Sequence, residues 1–230
     1  CTGSVTGGIP KRATVIAEAK HAQNHPEQVP IAIELGDFLT HQAPSVLSGI
    51  QDREQRLYAE LLASIPSDVV VVGQGELLRG PAWFRATVES AALPTVSSNL
   101  WAEGRRVAEP FRIVRRGSLS IAFVGWSDPW MEERDYRSFG DTTRDVVVDE
   151  SYHDLGEILS SASERSDLTV VAGRIGARTL EALLARYGEQ IDIVVTMDPG
   201  VMHGAPVAQR HRTGGFVAPA IPLLVSGLGR

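Results

Sequence analysis

One cysteine and six histidines are the only thiol and imidazole groups in this 230-residue chain. The cysteine is residue 1, so an intrachain disulfide and an all-cysteine metal site are both excluded. No apolar run approaches the roughly 20 residues that a bilayer-crossing helix requires. Positive charge is not in excess: the net charge of −6 argues against a nucleic-acid groove, which needs clustered Lys and Arg. There is no tandem repeat, no low-complexity segment, and no internal linker rich enough in Pro, Gly or Ser to mark a boundary. Aromatic residues make up only 6% of the chain, so any cluster of them stands out.

What remains is an ordinary globular composition, 43% hydrophobic, with strands and helices in alternation. Pro10 suits the first turn of a helix, where its missing N–H is not needed, and the "KRATVIAEAKHAQ" stretch follows. "PIAIELGD" reads as a strand. "REQRLYAELLASI" reads as an amphipathic helix with Leu57, Leu61, Leu62 and Ile65 on one face. "DVVVVG" is a β-branched run of the kind buried on both faces of a parallel sheet, and "PAWFRATVESA" is a helix opened by Pro81. "TVSSNL" is a short strand, and "FRIVRRGSLSIAFVGWS" is a β-hairpin. The "DPWMEERDYRSFGDTTRD" stretch reads as a long surface loop. Ser151 is placed as the N-cap of "YHDLGEILSSASER". "LTVVAG", the helix "ARTLEALLARYG" closed by Gly188, "IDIVVTMD", and at least one strand in "VAPAIPLLVSGLG" complete the pattern. Short connections between alternating elements predict a layered α/β domain, with mostly parallel sheets flanked by helices. The expected organisation is a tether over residues 1–9 and a single domain over 10–230.

Open α/β sheets bind ligands beyond the carboxyl ends of their strands. Those ends carry Gly36-Asp37, Gly73-Gln74-Gly75-Glu76, Gly125-Trp126-Ser127-Asp128, Gly173-Arg174-Ile175-Gly176 and Thr196-Met197-Asp198-Pro199-Gly200, with His203 just beyond. Their order and spacing resemble the calcineurin-like metallophosphoesterase superfamily, and more closely the catalytic domain of the periplasmic 5′-nucleotidases. "GGIPKRATVI", "IELGDFLT", "VVVVGQGEL", "ALPTVSSNL", "GSLSIAFVGW", "LTVVAGRIGA", "IDIVVTMDPG" and "LLVSGLGR" carry the resemblance, which covers nearly the whole chain. It implies a site where Asp, His and Asn hold two divalent metals that clamp a phosphate and activate a bridging water.

Carried over residue by residue, the resemblance matches Asp37 to the metal-bridging aspartate. Gln74 stands for an Asn ligand and Gly75 for a His. Arg174 replaces a metal-binding His, and a guanidinium offers no lone pair. Asp198 and Gly200 stand where two further His belong. The family's opening Asp-x-His motif would precede Cys1, and the family continues beyond Arg230. The domain is therefore expected either to be trimmed at both ends or to be a portion of a longer protein.

Each residue also has a plainer reading. Asp37 caps a turn, Glu76 is a first-turn helix acid favoured by the dipole, and Asp198 before Pro199-Gly200 is turn composition. Arg174 is expected to form a salt bridge with Asp37 or Asp198; its alternative is to hold phosphate bidentately. His21 and His25 have ligand spacing but fit a solvated helix end. Trp126, Trp130, Met131, Tyr136 and Phe139 lie within 14 residues and read either as a partner interface or as a satellite core over the sheet edge. Cys1 reads as a lipidated first residue, an internal cysteine of an excerpted chain, or an ordinary thiol.

Taken together, these readings lead to the expectation of a non-catalytic, 5′-nucleotidase-like extracytoplasmic domain, in the periplasm or at the cell surface, without a cofactor. It would act as a scaffold or accessory subunit with a protein partner, in a membrane-associated complex that it touches only through a lipid on Cys1. The alternatives are a phosphoesterase using one divalent ion (Mn, Zn or Mg) on Asp37, Gln74 and Asp198, and a phosphate- or nucleotide-binding protein using the vestigial cleft of Asp37, Gln74, Glu76, Arg174 and Asp198.

Overall fold

The computed structural model describes residues 9–21, 29–39, 48–129, 145–196 and 207–209. Five α-helices are described: α1 (Ile9–His21), α2 (Ser48–Ala63), α3 (Pro81–Ser90), α4 (Leu155–Ser163) and α5 (Ala177–Tyr187). The strands are β1 (Ile33–Glu34), β2 (Val69–Val71), β3 (Thr95–Val96), β4 (Leu100–Ala102), β5 (Arg105–Arg106), β6 (Phe111–Arg116), β7 (Leu119–Ser127), β8 (Val146–Val148), β9 (Leu168–Arg174), β10 (Ile193–Thr196) and β11 (Val207–Gln209).

The strands form three sheets. β1, β2 and β3 are parallel, in the order β1-β2-β3. A five-stranded sheet has the order β11-β10-β9-β7-β6, with β10, β9 and β7 parallel and an antiparallel strand at each edge. A small antiparallel sheet, β5-β4-β8, stands beside them.

Side-chain alternation along the strands stacks the first two sheets face to face, because successive residues point to opposite faces. Val69 and Val71 of β2 meet Ile121 and Phe123 of β7 and Val170 and Ala172 of β9 in a core between the sheets. Val70 and Val72 face the other way, into a core with Leu62 of α2 and Phe84 and Val88 of α3, against which Ile16 of α1 also packs. On the far side Ala122, Val124, Val171 and Val194 pack on Leu155, Leu159, Leu180 and Leu183 of α4 and α5. The result is a helix–sheet–sheet–helix sandwich. The unbroken valine run follows from it, since both faces of β2 are buried.

The local readings meet the structure unevenly. Pro81 opens α3 in its first turn as expected, with Gly80 as the N-cap. The hairpin β6–β7 turns through Gly117-Ser118, pairing Arg116 with Leu119. Ser151 is not the N-cap of α4: that position belongs to Asp154, and the Ser151 hydroxyl instead accepts a hydrogen bond from the His153 N–H at 3.2 Å. The apolar face read on α2 divides, with Leu62 and Ile65 buried but Leu57 and Leu61 exposed. "TVSSNL" is not one strand: Thr95–Val96 form β3, the chain turns through Ser97-Ser98-Asn99, and Leu100 begins β4. Strand β8, whose Val147 is exposed, was not anticipated. The strand expected in "VAPAIPLLVSGLG" lies outside the described residues, as do Cys1, Trp130, Met131, Tyr136, Phe139, Asp198 and His203.

Candidate functional site

The carboxyl ends of the two stacked sheets converge, and Asp37, Gln74, Glu76 and Arg174 meet there. After β1 the chain bends sharply through Gly36 at φ +99° and Asp37 at φ +53°. A positive φ in a non-glycine residue carries a conformational cost that its surroundings must offset. Here the offset is a set of hydrogen bonds between two turns. The Asp37 N–H donates to Glu76 Oε2 at 2.9 Å and the Leu39 N–H to Glu76 Oε1 at 3.0 Å. The Gly73 N–H donates to Glu76 Oε2 at 2.6 Å. In return, the Gly75 N–H donates to Asp37 Oδ1 at 2.9 Å. Gly73 has no room for a side chain: a Cβ there would lie 2.5 Å from Asp37 Oδ1 and 2.7 Å from Asp37 N.

Glu76 therefore does more than favour a helix dipole. Its carboxyl reaches back within its own turn to accept from the Gly73 N–H, three residues earlier. The same carboxyl also binds the turn after β1. It is 1% exposed. Burial, followed by the nearby Asp37 carboxylate, raises its pKa to about 8 against the pull of the three N–H donors.

Arg174, the last residue of β9, extends toward the first sheet. Its Nη1 donates to Asp37 Oδ2 at 2.6 Å, with the Asp37 side chain 4% exposed and that of Arg174 17%. The expected salt bridge thus forms with Asp37, and it fastens one sheet to the other.

Two further residues secure the second sheet: Asn99, which was not singled out from the sequence, and Asp128, which was placed at a strand end but given no role. Asn99 clamps the end of β7: its Nδ2 donates to Ser127 O at 2.9 Å, and the Ser127 N–H donates to its Oδ1 at 3.0 Å. Asp128 accepts from the Gly176 N–H at 2.7 Å, at the N-terminus of α5, and from Trp126 Nε1 at 2.9 Å. The position of Asp128 just after an apolar strand was the available signal. Trp126 is not an exposed interface residue. It is 2% exposed and stacks on Tyr152 with ring centroids 5.0 Å apart and planes 2° from parallel, so it belongs to the core beneath α4 and α5.

No family model and no curated protein matches the sequence significantly. Solved structures do match. The sulfate thiohydrolase SoxB of Thermus thermophilus gives a TM-score of 0.65 at 19% identity, covering 82% of this chain and 33% of that one. The 5′-nucleotidase precursor of the same species gives 0.57 at 18% identity, over 77% and 33%. The calcineurin-like phosphoesterase YfkN of Bacillus subtilis gives 0.61 at 14% identity, over 84% and 64%. The chain has the metallophosphoesterase fold. At these identities the likeness is one of fold alone, and the chain spans 33% to 64% of the length of those structures.

The metallophosphoesterase fold implies a pair of divalent metals, and the described residues do not fit one. Both oxygens of Asp37 are engaged, one by a cationic guanidinium and one by a backbone N–H. Glu76 already accepts from three backbone donors. Among the described residues no group of three or more His, Cys, Asp or Glu is placed to hold a metal.

Proposed function

We propose that this is a non-catalytic domain of metallophosphoesterase fold that serves as an extracytoplasmic scaffold or accessory subunit. The seating of Arg174 on Asp37 carries this reading. Activating a bridging water requires ligands with free lone pairs converging on a metal. Here the matching aspartate is spent on an internal ion pair, and function follows the site rather than the fold. The nucleotidase-like architecture and the resemblance to periplasmic nucleotidases favour an extracytoplasmic setting, and among the described residues no helix is long and apolar enough to cross a membrane. A protein partner is the natural ligand of such a domain. The Trp130, Met131, Tyr136 and Phe139 segment is the candidate surface, and a photo-crosslinking residue placed at position 130 tests it: an interface there yields a defined crosslinked species.

The decisive test is elemental analysis of the purified protein, paired with hydrolysis of a generic phosphodiester and a nucleoside monophosphate in added Mn²⁺. The expected result is no stoichiometric metal and no turnover from a folded protein. Turnover abolished by Asp37→Ala would make this an enzyme with substituted ligands and overturn the proposal.

A further inference from the structure

We infer that Arg174 is a resident counter-ion, whose guanidinium takes the electrostatic place of a divalent cation at Asp37 and keeps such cations out. The inference rests on the non-catalytic reading. It adds that the carboxyl ends of the two sheets are fastened without bound metal, and that loss of one side chain would reopen Asp37 to cations.

Both partners are held before they meet. Asp37 is fixed by its turn, with its own N–H on Glu76 and its Oδ1 on the Gly75 N–H, which leaves Oδ2 for Arg174. The Arg174 backbone is fixed against the end of β7. It pairs with Ser127 in the β7–β9 register, and its carbonyl accepts from the Asp128 N–H at 2.7 Å. Gly173, at φ +143°, lies so close to Trp126 O that no Cβ fits between them. This approach holds the residue before Arg174 tight against β7.

A buried carboxylate needs neutralising, and a planar guanidinium does so without coordinating chemistry. A divalent ion on the same oxygen would stand within about 4 Å of a fixed positive charge in a poorly hydrated place, where repulsion is strong. The ion and the arginine are therefore alternatives.

Thermal unfolding in millimolar MnCl₂ and in chelator tests this with Arg174→Ala, Arg174→Lys, and Arg174→Ala combined with Asp37→Asn. Wild type and Arg174→Lys should keep Tm within about 1 °C between the two conditions. Arg174→Ala should unfold earlier and regain at least about 3 °C on adding Mn²⁺, because ligand binding to the native state raises Tm. The double variant should lose that response. Arg174→Met, which retains much of the stem, gives the same reading if the alanine variant does not fold. A destabilised variant with no response to Mn²⁺ would leave an ordinary ion pair and overturn the inference. So would a wild-type Tm that rises with Mn²⁺ and loses the rise in Asp37→Asn. Phosphodiester turnover by the wild type would sink the non-catalytic reading, while the Tm response of Arg174→Ala would still be read separately.

Discussion

At the amino end of β2, Asp68 is flanked by two cations; at the carboxyl end of β1, Asp37 has one cation and a second acid beside it. Asp68 accepts from Lys20 Nζ at 2.9 Å, Arg116 Nη2 at 2.6 Å and the Ala32 N–H at 2.9 Å. These contacts join α1, β6 and the first sheet. Burial pushes the Asp68 carboxyl up, but the Ala32 N–H, Arg116 and Lys20 outweigh it and hold it below the usual carboxylate range. At the other end Arg174 serves Asp37, and Glu76 depends on backbone N–H groups in a wholly buried position, where its pKa is driven up to about 8. A surplus of cations marks a clasp that is only structural. Around Glu76 the described acids, Asp37 and Glu76, outnumber the described cation, Arg174, and backbone N–H groups make up the difference.

Glu76 is where this contrast breaks most visibly. Glu76→Ala leaves three backbone donors buried without an acceptor, each costing about 1–3 kcal/mol. The expected loss is roughly 3–6 kcal/mol in urea unfolding, a large part of a typical domain's stability. The pH dependence carries a second signature. A carboxyl whose folded pKa is raised binds its proton more tightly in the native state, so its contribution is full below the unfolded value and is lost as pH rises through the folded one. Stability should therefore fall between about pH 5 and pH 8. Glu76→Gln should flatten that alkaline limb even though it lowers the overall stability. A wild-type profile flat across this range would mean that Glu76 is ionised in the fold and that the three N–H donors dominate.

Much of the scaffold was legible because burial writes itself into residue type. The valines of β2, the β6–β7 hairpin and the Pro81 start of α3 could all be read from local chemistry. The stacking of two sheets could not. When both faces of a strand are apolar, the alternation that would separate a sheet-facing side from a helix-facing side disappears, and Val69 looks like Val70. Strand β8 was hidden because its pairing with β4 crosses about 45 residues of chain. The Asp37–Arg174 pair was foreseeable from two opposite charges at strand ends. Glu76 was expected in the cleft, but its hold on the neighbouring turn was not legible, because a first-turn acid has the same sequence signature whether it faces solvent or holds a turn 37 residues away. Asp128 and Asn99 likewise act on backbone groups, which carry no mark of their partner in the sequence.

The smaller effect lies at the cation-rich end. Asp68→Asn keeps one acceptor oxygen but leaves Lys20 and Arg116 facing a neutral amide, and solvent screens part of the loss. The expected cost is about 1–2 kcal/mol in urea unfolding at neutral pH. Its pH signature is opposite in sign to that of Glu76. A depressed carboxyl contributes stability above its unfolded pKa and loses it as pH falls through the folded value, so Asp68 supports the protein against acid. Wild type and Asp68→Asn should therefore converge as pH falls below about 4, while both retain the alkaline limb that Glu76 sets. If the variant instead lost the alkaline limb, the two ends of the sheet would be coupled through the valine core, and the contrast between the cation-rich end and the acid-rich end would fail.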